Sequence, residues 1–463
     1  MNLTLEKVAE HVGGRLIGSG PNRVHGYSID SRTIKAGELF FALNGPRSDG
    51  HDFIAQAAQR GAAGAVVSRV GQDLGTLPRI EVSSTMDALH ELARAVRKLW
   101  GRPIIAVTGS VGKTTTKEMI AAILGKKFNI FRSVGNMNNE YGLPLCLLRV
   151  EKYQDLAVLE MGMSAAGEIA KLASIAEPNE GVITNVNPVH MEFFNSISGI
   201  AKAKAELLGG LVGQRRAYLN YDDPRVRSMA RQFDGEIVTY GVRSPARFRV
   251  TRVENLGLEG SGFTVRYRNR NINLVLPLLG DHNISNAAAA ISVALTHGLN
   301  WDDARLALEE MTPSKMRGAV IRFCKGFTVI DDSYNSNPKA LTEMIRLLGS
   351  MAWPGRRILV AGEMLELGKM SAQLHAACGK EAMKAGFDLI VGVAGEAKAL
   401  LNGAAEAGAE AKRLHFVRDV VEVGDFLTQT LKKDDLVLLK GSRGVRLEQA
   451  LDTLRLNFRS LEP

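Results

Sequence analysis

The 463-residue chain contains few cysteines and no long apolar run. Its three cysteines, Cys146, Cys324 and Cys378, are odd in number and far apart, so the sequence indicates neither a disulfide framework nor a zinc site. No stretch approaches the roughly 20 apolar residues of a membrane helix, and the N-terminus lacks the basic and then apolar pattern of a signal peptide. We therefore expect a cytoplasmic protein that is not inserted into a membrane.

The chain also lacks a compact run of lysine and arginine, although its net charge is +9. A positive balance is compatible with a nucleic-acid-dependent ATPase, but also with dispersed surface charge that suits anionic substrates. The densest stretch, Arg266-Tyr267-Arg268-Asn269-Arg270, lies between alternating apolar residues and predicts the tip of a β-hairpin. The sequence therefore favours dispersed charge, and we expect no nucleic-acid partner.

The length of the chain and the pattern of its apolar residues predict three domains. Up to about residue 83 short strands and turns alternate, and Thr85 is placed to cap a helix that runs to about Trp100. Short apolar runs between helical patterns then predict strands buried on both faces of a parallel sheet, once before and once after Pro313. The expected fold class is α/β, with a small N-terminal α/β domain at residues 1–83, a central parallel-sheet domain at residues 84–312 and a C-terminal Rossmann-like domain at residues 313–463.

The most specific motif follows the apolar run that ends at Val107, and it reads Thr108-Gly109-Ser110-Val111-Gly112-Lys113-Thr114-Thr115. Backbone N–H groups of a glycine-containing turn that opens a helix can hold phosphate oxygens. Lys113 is placed to neutralise the β- and γ-phosphates of ATP, and Thr114 to bind magnesium. A strict P-loop has glycine where this chain has Val107, so the loop is a shortened variant. Strand, glycines, lysine and helix together favour phosphate binding over a structural turn.

Polar residues follow several other predicted strands, and ligands of parallel sheets bind at those strand ends. Glu160 ends one such strand and suits magnesium binding, although a solvated carboxylate fits the same pattern. His190 follows the next strand and is compatible with a metal ligand or a structural histidine. The segment with Asn136, Asn138 and Asn139 suits either substrate recognition or a turn.

Two further polar stretches lie at residues 280–286, before a predicted helix, and at residues 331–338, after a predicted strand. They fit a cleft between domains and complete a set of motifs that resembles the Mur ligases. These are the ATP-dependent amide-forming enzymes of peptidoglycan synthesis. The resemblance covers essentially the whole chain, in the expected order, and the shortened phosphate loop is part of it. The N-terminal segment is similar to the family's UDP-sugar domain through the stretches Ser28-Ile29-Asp30-Ser31-Arg32, Gly37-Glu38-Leu39-Phe40-Phe41-Ala42-Leu43 and Asp49-Gly50-His51.

Within the family, the chain lacks the Asp-Asn-Pro-Arg tetrapeptide of the members that add the third residue of the stem peptide. The stretch Asp332-Ser333-Tyr334-Asn335-Ser336-Asn337-Pro338 instead resembles the members that join D-alanyl-D-alanine to UDP-N-acetylmuramoyl-tripeptide (UDP-MurNAc-tripeptide). The resemblance implies that ATP converts the peptide carboxylate into an acyl phosphate, which the dipeptide amine then attacks. A Mur ligase that adds a single amino acid is the alternative.

The resemblance also implies residue roles and partners. Two Mg²⁺ ions would be held by Thr114, Glu160, His190 and a carbamylated Lys204, which is favoured over Lys202. Catalysis would depend on Lys113, Lys204, His190 and Arg317, and ATP would also contact Asn283, Arg317 and Asp332. The two small-molecule substrates would contact Ser28, Ser31, Arg32, Asn44, Gly45, Asp49, His51, Asn138, Asn139, Tyr334, Asn335 and Asn337. We expect a monomer whose C-terminal domain closes over ATP.

Overall fold

The computed structural model describes residues 1, 3–20, 23–45, 48–69, 77–188, 192–194, 196–243 and 245–461. Within these ranges the chain forms three β-sheets, of five, nine and six strands. Helices accompany each sheet. The three-domain α/β class is therefore confirmed, whereas the boundaries near residues 83 and 312 remain predictions.

The N-terminal sheet has the strand order β1-β5-β4-β3-β2, and it is parallel except for β1, which runs antiparallel to β5. Its strands are β1 (Arg15–Ile17), β2 (Gly26–Ser28), β3 (Glu38–Phe41), β4 (Gly64–Val67) and β5 (Arg79–Glu81). The helices are α1 (Leu5–Val12), α2 (Ile54–Gln59) and α3 (Thr85–Trp100).

The cap of α3 differs from the prediction by one residue. The Ser84 hydroxyl accepts from the Asp87 N–H, so Ser84 caps the helix. The hydroxyl of Thr85 instead donates to the Ala42 carbonyl at 3.0 Å. Thr85 therefore ties α3 to the N-terminal sheet and does not cap it.

The central sheet has the order β14-β13-β12-β11-β10-β9-β6-β8-β7. Its strands are β6 (Ile104–Thr108), β7 (Ile130–Arg132), β8 (Leu156–Glu160), β9 (Glu180–Ile183), β10 (Arg216–Asn220), β11 (Glu236–Gly241), β12 (Phe248–Asn255), β13 (Ser261–Tyr267) and β14 (Arg270–Leu276). The helices are α4 (Lys113–Leu124), α5 (Gly142–Leu147), α6 (Glu168–Ala176), α7 (Ile197–Gly209), α8 (Pro224–Met229), α9 (Asp281–Thr296) and α10 (Trp301–Glu309).

Strands β6 to β12 of this sheet run parallel, and β12, β13 and β14 pair antiparallel, with the predicted hairpin tip between Tyr267 and Arg270. Two hydrophobic cores cover the two faces of the sheet. Ile104 and Ala106 belong to one core, and Ile105 and Val107 to the other. This double burial explains the uniformly apolar sequence of the strand that leads into the phosphate loop.

Helix α9 begins earlier than the sequence indicates. The polar stretch at residues 280–286 was expected to precede a helix, but α9 starts at Asp281, so the stretch forms its first turns. Asn283 and Asn286 consequently lie one turn apart on the same buried face. Their amides are therefore held inside the protein.

The C-terminal sheet has the order β15-β16-β20-β17-β18-β19, and only β15 is antiparallel to its neighbour within the described residues. Its strands are β15 (Ala319–Arg322), β16 (Thr328–Asp331), β17 (Arg357–Gly362), β18 (Leu389–Val393), β19 (Leu414–Val417) and β20 (Leu436–Lys440). The helices are α11 (Pro338–Ser350), α12 (Ser371–Lys384), α13 (Ala397–Glu406), α14 (Val420–Thr430) and α15 (Glu448–Asn457). None of the helices in the described parts of the chain combines the length and hydrophobicity of a membrane span.

Candidate functional site

A cavity of about 570 Å³ lies where elements of the central and C-terminal domains meet. The central domain contributes the phosphate loop, the asparagine-rich segment, the end of β8 and the first turns of α9. The C-terminal domain contributes the segments that follow β16, β17 and β20. The segments thus come from the carboxyl ends of strands in both sheets, as ligand sites of parallel sheets do.

The phosphate loop has a backbone that requires glycine at two positions. Gly109 and Gly112 have φ values of 151° and 86°. A Cβ at Gly109 would lie 1.8 Å from Thr184 Oγ1, and a Cβ at Gly112 would lie 2.4 Å from Asn286 Oδ1. The loop is also held by Asn185, whose side-chain oxygen accepts from the Val111 N–H at 3.0 Å. Its shape is therefore fixed by neighbouring segments.

Lys113 begins α4 and turns its ammonium back into the phosphate loop. Its Nζ donates to the carbonyls of Gly109 at 3.0 Å and Ser110 at 3.4 Å. Burial lowers the pKa of Lys113, an effect that the Glu160 carboxylate opposes and the Arg317 charge reinforces. The structure thus places one cation beside the backbone amides that would face phosphate.

Glu160 is buried between the phosphate loop and the asparagine-rich segment. Its Oε2 accepts from Thr114 Oγ1 at 2.7 Å, and its Oε1 accepts from Asn138 Nδ2 at 2.7 Å. The backbone N–H of Glu160 donates to Ser133 Oγ at 3.0 Å. Asn139 has a different role, because its side-chain oxygen accepts a hydrogen bond from the Gly142 N–H and stabilises a turn. The turn interpretation of the asparagine-rich segment thus applies to Asn139, whereas substrate recognition stays a prediction.

The two candidate lysines of α7 differ in burial. Lys204 is 2% exposed and Lys202 lies on the solvent-exposed side. Burial, reinforced by the charge of Lys113, lowers the pKa of Lys204 well below its ordinary value. A lowered pKa favours the neutral amine, which is the form that reacts with carbon dioxide.

His190, the remaining predicted metal ligand, lies outside the described residues. Within the described residues, no three His, Cys, Asp or Glu side chains form a metal-binding group. The oxygens of Thr114 and Glu160 are nevertheless the hard ligands that Mg²⁺ prefers. The donor chemistry at the phosphate loop therefore fits magnesium.

Asn283 lines the cavity, but its amide is engaged inside the protein. Its Nδ2 donates to the Leu279 carbonyl at 2.8 Å, and its Oδ1 accepts from Asn286 Nδ2 at 3.0 Å. Asn286 in turn lies against Gly112 of the phosphate loop. No role was predicted for Asn286, although its spacing of three residues from Asn283 on a helix was visible in the sequence.

The C-terminal wall contains a buried lysine that the motifs did not identify. Lys440 Nζ lies 2.5 Å from Asp332 Oδ2 and donates to the Asn335 carbonyl at 3.2 Å. In the sequence, Lys440 was marked only by its position at the end of an apolar strand.

Beside Lys440, the Arg317 guanidinium lies over the Tyr334 ring, 4.1 Å from the ring centroid. Asp332, Tyr334 and Arg317 are thus brought together as predicted.

Asn337 has a structural role that the prediction did not include. Its side-chain oxygen accepts from the Ala340 N–H at 2.9 Å and caps α11. The neighbouring Asn335 side chain accepts from the Ser336 N–H at 2.9 Å. Both residues line the cavity, but part of their hydrogen-bonding capacity stabilises the segment itself.

The predicted substrate residues of the N-terminal domain do not line this cavity. Ser31 Oγ donates to Gln56 at 2.6 Å. His51 is 2% exposed, with its Nδ1 2.6 Å from Asp49 Oδ1 and its Nε2 accepting from the Ser68 N–H at 2.9 Å. Burial and these bonds assign Asp49 and His51 to the internal structure of the domain. The other members of the predicted set are Ser28, Arg32, Asn44 and Gly45, which lie in the same sheet and its loops.

Comparisons with known proteins agree with this architecture. Three family models match in succession: the Mur ligase family catalytic domain at residues 23–97, the Mur ligase middle domain at residues 107–294 and the Mur ligase glutamate ligase domain at residues 316–443. The UDP-N-acetylmuramoyl-tripeptide–D-alanyl-D-alanine ligase of Bacillus subtilis is 34% identical over 454 residues, which covers 97% of this chain and 98% of the relative.

Solved structures give the same result. The crystal structure of MurF from Acinetobacter baumannii superposes with a TM-score of 0.86 at 29% identity, covering 98% of this chain and 99% of the other. MurF of Thermotoga maritima in complex with ADP superposes with a TM-score of 0.81 at 29% identity, covering 94% and 97%. The likeness therefore extends through all three domains.

Proposed function

The chain belongs to the Mur ligase family, and we propose that it joins D-alanyl-D-alanine to UDP-MurNAc-tripeptide at the expense of ATP. The product is UDP-MurNAc-pentapeptide, a precursor of peptidoglycan. Relatives named for this reaction align with nearly the whole chain. The observation that carries the proposal is one cavity in which the phosphate loop and Glu160 face the Asp332–Lys440 pair.

The reaction has two chemical steps. An oxygen of the tripeptide's terminal carboxylate attacks the γ-phosphorus of ATP, the bond to the β-phosphate oxygen breaks, and ADP leaves. The resulting acyl phosphate has a good leaving group, which the carboxylate itself lacks. The dipeptide amine then attacks the carbonyl carbon, phosphate leaves, and the amine loses its proton as the amide forms.

The first step brings a carboxylate against a triphosphate, and this charge repulsion must be offset. Lys113 and the backbone N–H groups of the phosphate loop hold the phosphates. Arg317 adds positive charge from the C-terminal side of the cavity. Stacking on Tyr334 keeps its guanidinium in place. These groups stabilise the charge that develops on the transferred phosphoryl group.

Magnesium is part of the proposal. Glu160, His190 and a carbamate on Lys204 would hold two magnesium ions, and Thr114 would complete the shell of the first. The ions supply positive charge to the phosphate oxygens. Burial suits Lys204 for carbamylation, since a neutral amine can attack carbon dioxide and then lose a proton to give a carbamate.

The three domains divide the substrates among them. Residues 1–83 bind the UDP-sugar, residues 84–312 bind ATP, and residues 313–463 bind the dipeptide, with Tyr334 and Asn335 on the dipeptide side. The candidates for UDP-sugar contacts are Ser28, Ser31, Arg32, Asn44, Gly45, Asp49 and His51. Residues Asn283 and Asp332 orient the nucleotide. We place the reaction in the cytoplasm, carried out by a monomer.

The test is phosphate release by the purified protein with defined substrates. ATP, UDP-MurNAc-tripeptide and D-alanyl-D-alanine together should give phosphate and a UDP-MurNAc-pentapeptide that is seen by mass spectrometry. Omission of the dipeptide should abolish product. Release with UDP-MurNAc-dipeptide and a diamino acid instead would identify a ligase that adds a single amino acid, and would refute the proposal.

A further inference from the structure

The segment at residues 363–367, which follows β17, is fixed at three consecutive backbone positions. The Glu363 carbonyl accepts from the Ser442 N–H at 3.1 Å. The Met364 N–H donates to His375 Nε2 at 2.9 Å, and the Leu365 N–H donates to Ser442 Oγ at 2.9 Å. Leu365, Glu366 and Leu367 of this segment line the cavity.

The anchored segment presents a leucine to the cavity. Leu365 is 46% exposed, whereas its neighbours Met364 and Leu367 are buried. Glu366 has a φ of 63°, a left-handed conformation that is unfavourable for a residue with a Cβ. Strain of this kind persists when surrounding contacts impose it, and it concentrates at functional sites. The exposure of Leu365 is therefore a consequence of the anchors.

His375 can accept the hydrogen bond from Met364 only while its Nε2 is unprotonated. It is fully buried in the first turns of α12. Its Nε2 accepts from Met364, and its Nδ1 lies 2.8 Å from the Ser371 carbonyl, so the ring must carry its proton on Nδ1. Desolvation lowers the pKa of His375 and thus favours this neutral form, while Glu363 and Glu396, the acidic groups close to the ring, oppose the shift.

The chemistry of the substrates indicates what Leu365 faces. The C-terminal wall around it includes the polar residues Asp332 and Lys440 as well as the apolar residues Ala340 and Met344. Nucleotide phosphates and peptide carboxylates suit such polar groups. The incoming dipeptide is the one substrate delivered by this domain, and its side chains are two methyl groups. A half-exposed leucine on a fixed segment is suited to contact a methyl group and to limit its size.

We propose that Leu365, held by residues 363–367, forms an apolar contact of the dipeptide site, and that His375 is the positioning residue that keeps Leu365 in place. The inference rests on the proposed function, because it names a contact of the same reaction. The His375 ring does not touch the substrates. It acts through the Met364 N–H, which keeps Leu365 directed into the cavity.

The experiment compares His375→Leu, His375→Gln and Leu365→Ala in steady-state assays with the full chain. His375→Leu and Leu365→Ala should each raise KM for the dipeptide by about tenfold, as expected for one lost buried contact, while KM for ATP stays within about twofold. Glutamine reaches the Nε2 position with a carbonyl oxygen that can accept from Met364. His375→Gln should therefore restore most of the dipeptide KM.

Two variants serve as matched controls. Ser371→Ala removes a hydroxyl 3.3 Å from the same ring but keeps the carbonyl bond, so the dipeptide KM should not change. Cys378→Ala opens a small space in the same helix, so the melting temperature should fall without a selective change in KM. As the pH falls through the lowered pKa of His375, below its ordinary value of about 6.5, the dipeptide KM should rise more steeply in the wild type than in His375→Gln.

An active wild type whose dipeptide KM is unchanged in both His375→Leu and Leu365→Ala would overturn the inference and leave the proposed function intact. A parallel rise of both KM values in the two variants would overturn it as well. If His375→Leu does not fold, Leu365→Ala and His375→Gln still decide the question. A wild type without dipeptide-dependent phosphate release would instead overturn the proposed function.

Discussion

Thr114 Oγ1 donates a 2.7 Å hydrogen bond to Glu160 Oε2, although the two residues are 46 positions apart. Strands β6 and β8 are parallel neighbours, with Val107 in register with Glu160. The loop after β6 therefore lies beside the carboxylate that ends β8. This register brings a hydroxyl and a carboxylate together at the start of α4, where the helix N-terminus and Lys113 attract phosphate.

Replacement of Lys113 tests the phosphate assignment. Lys113→Ala should lower kcat by at least about 100-fold, because it removes a cation that stabilises the transferred phosphoryl group. The melting temperature should not fall, since burial of this amine is unfavourable for its charged form. Phosphate release and thermal unfolding measure the two effects. Lys127→Ala, in the turn that follows α4, is the control, and substantial activity in Lys113→Ala would contradict the assignment.

Replacement of Glu160 tests the magnesium assignment. Glu160→Gln keeps the size of the side chain but removes the negative charge that a hard cation requires. The Mg²⁺ concentration for half-maximal phosphate release should rise by about tenfold or more, a loss typical of a removed charged ligand. Glu168→Gln alters another carboxylate that lines the cavity and should leave the Mg²⁺ requirement unchanged. Equal Mg²⁺ dependence in the two variants would contradict the prediction.

The parts of the site that follow strands were predictable from the sequence. A parallel strand buried on both faces is apolar throughout, so the first polar residue marks its carboxyl end. This signal identified the phosphate loop and Glu160. The choice of Lys204 over Lys202 came from the family resemblance, and helix geometry added only that two positions on a helix face different directions.

Contacts between distant segments were not predictable in the same way. Asn286 lies against Gly112, Lys440 pairs with Asp332, and His375 accepts from Met364. Each pairing depends on how elements pack in three dimensions, and no local pattern contains that information. The burial of His51 and its bond from the Ser68 N–H show a structural role that the motif did not indicate, and its contact with the UDP-sugar stays a prediction.

Replacement of Lys204 tests whether a carbamate on this residue serves the metal site. Lys204→Ala should lower ligation by about 100-fold or more, because the variant lacks an anionic group at the metal site. Acetate or another small carboxylic acid should restore part of the activity by taking the place of the carbamate. Lys202→Ala, an exposed position on the same helix, should keep full activity and gain nothing from acetate. Full activity in Lys204→Ala would remove the residue from the metal site.

Glu180 makes the stability of the central domain sensitive to acid. It lies at the amino end of β9, and the phosphate loop lies at the opposite, carboxyl end of the strands. Burial favours a raised pKa, but hydrogen bonds from His297 and Tyr218 and the charge of Arg216 outweigh it, so the pKa of Glu180 is lowered from 4.5. The unfolded chain therefore binds this proton first as the pH falls. The stabilisation is complete above pH 4.5 and is lost as the pH falls through the lower folded-state value.

Glu180→Gln should consequently lower the melting temperature at pH 7, with a cost of about 3–5 kcal/mol for breaking a buried ion pair. It should also flatten the decline in melting temperature below about pH 4.5, because the depressed carboxyl no longer contributes to the linkage. Glu236 contacts the same Arg216 at 2.7 Å but is 41% exposed. Glu236→Gln should cost about 1 kcal/mol or less. Thermal unfolding of both variants from pH 3.5 to 7 is the measurement, and an unchanged acid decline in Glu180→Gln would show that other carboxylates control it.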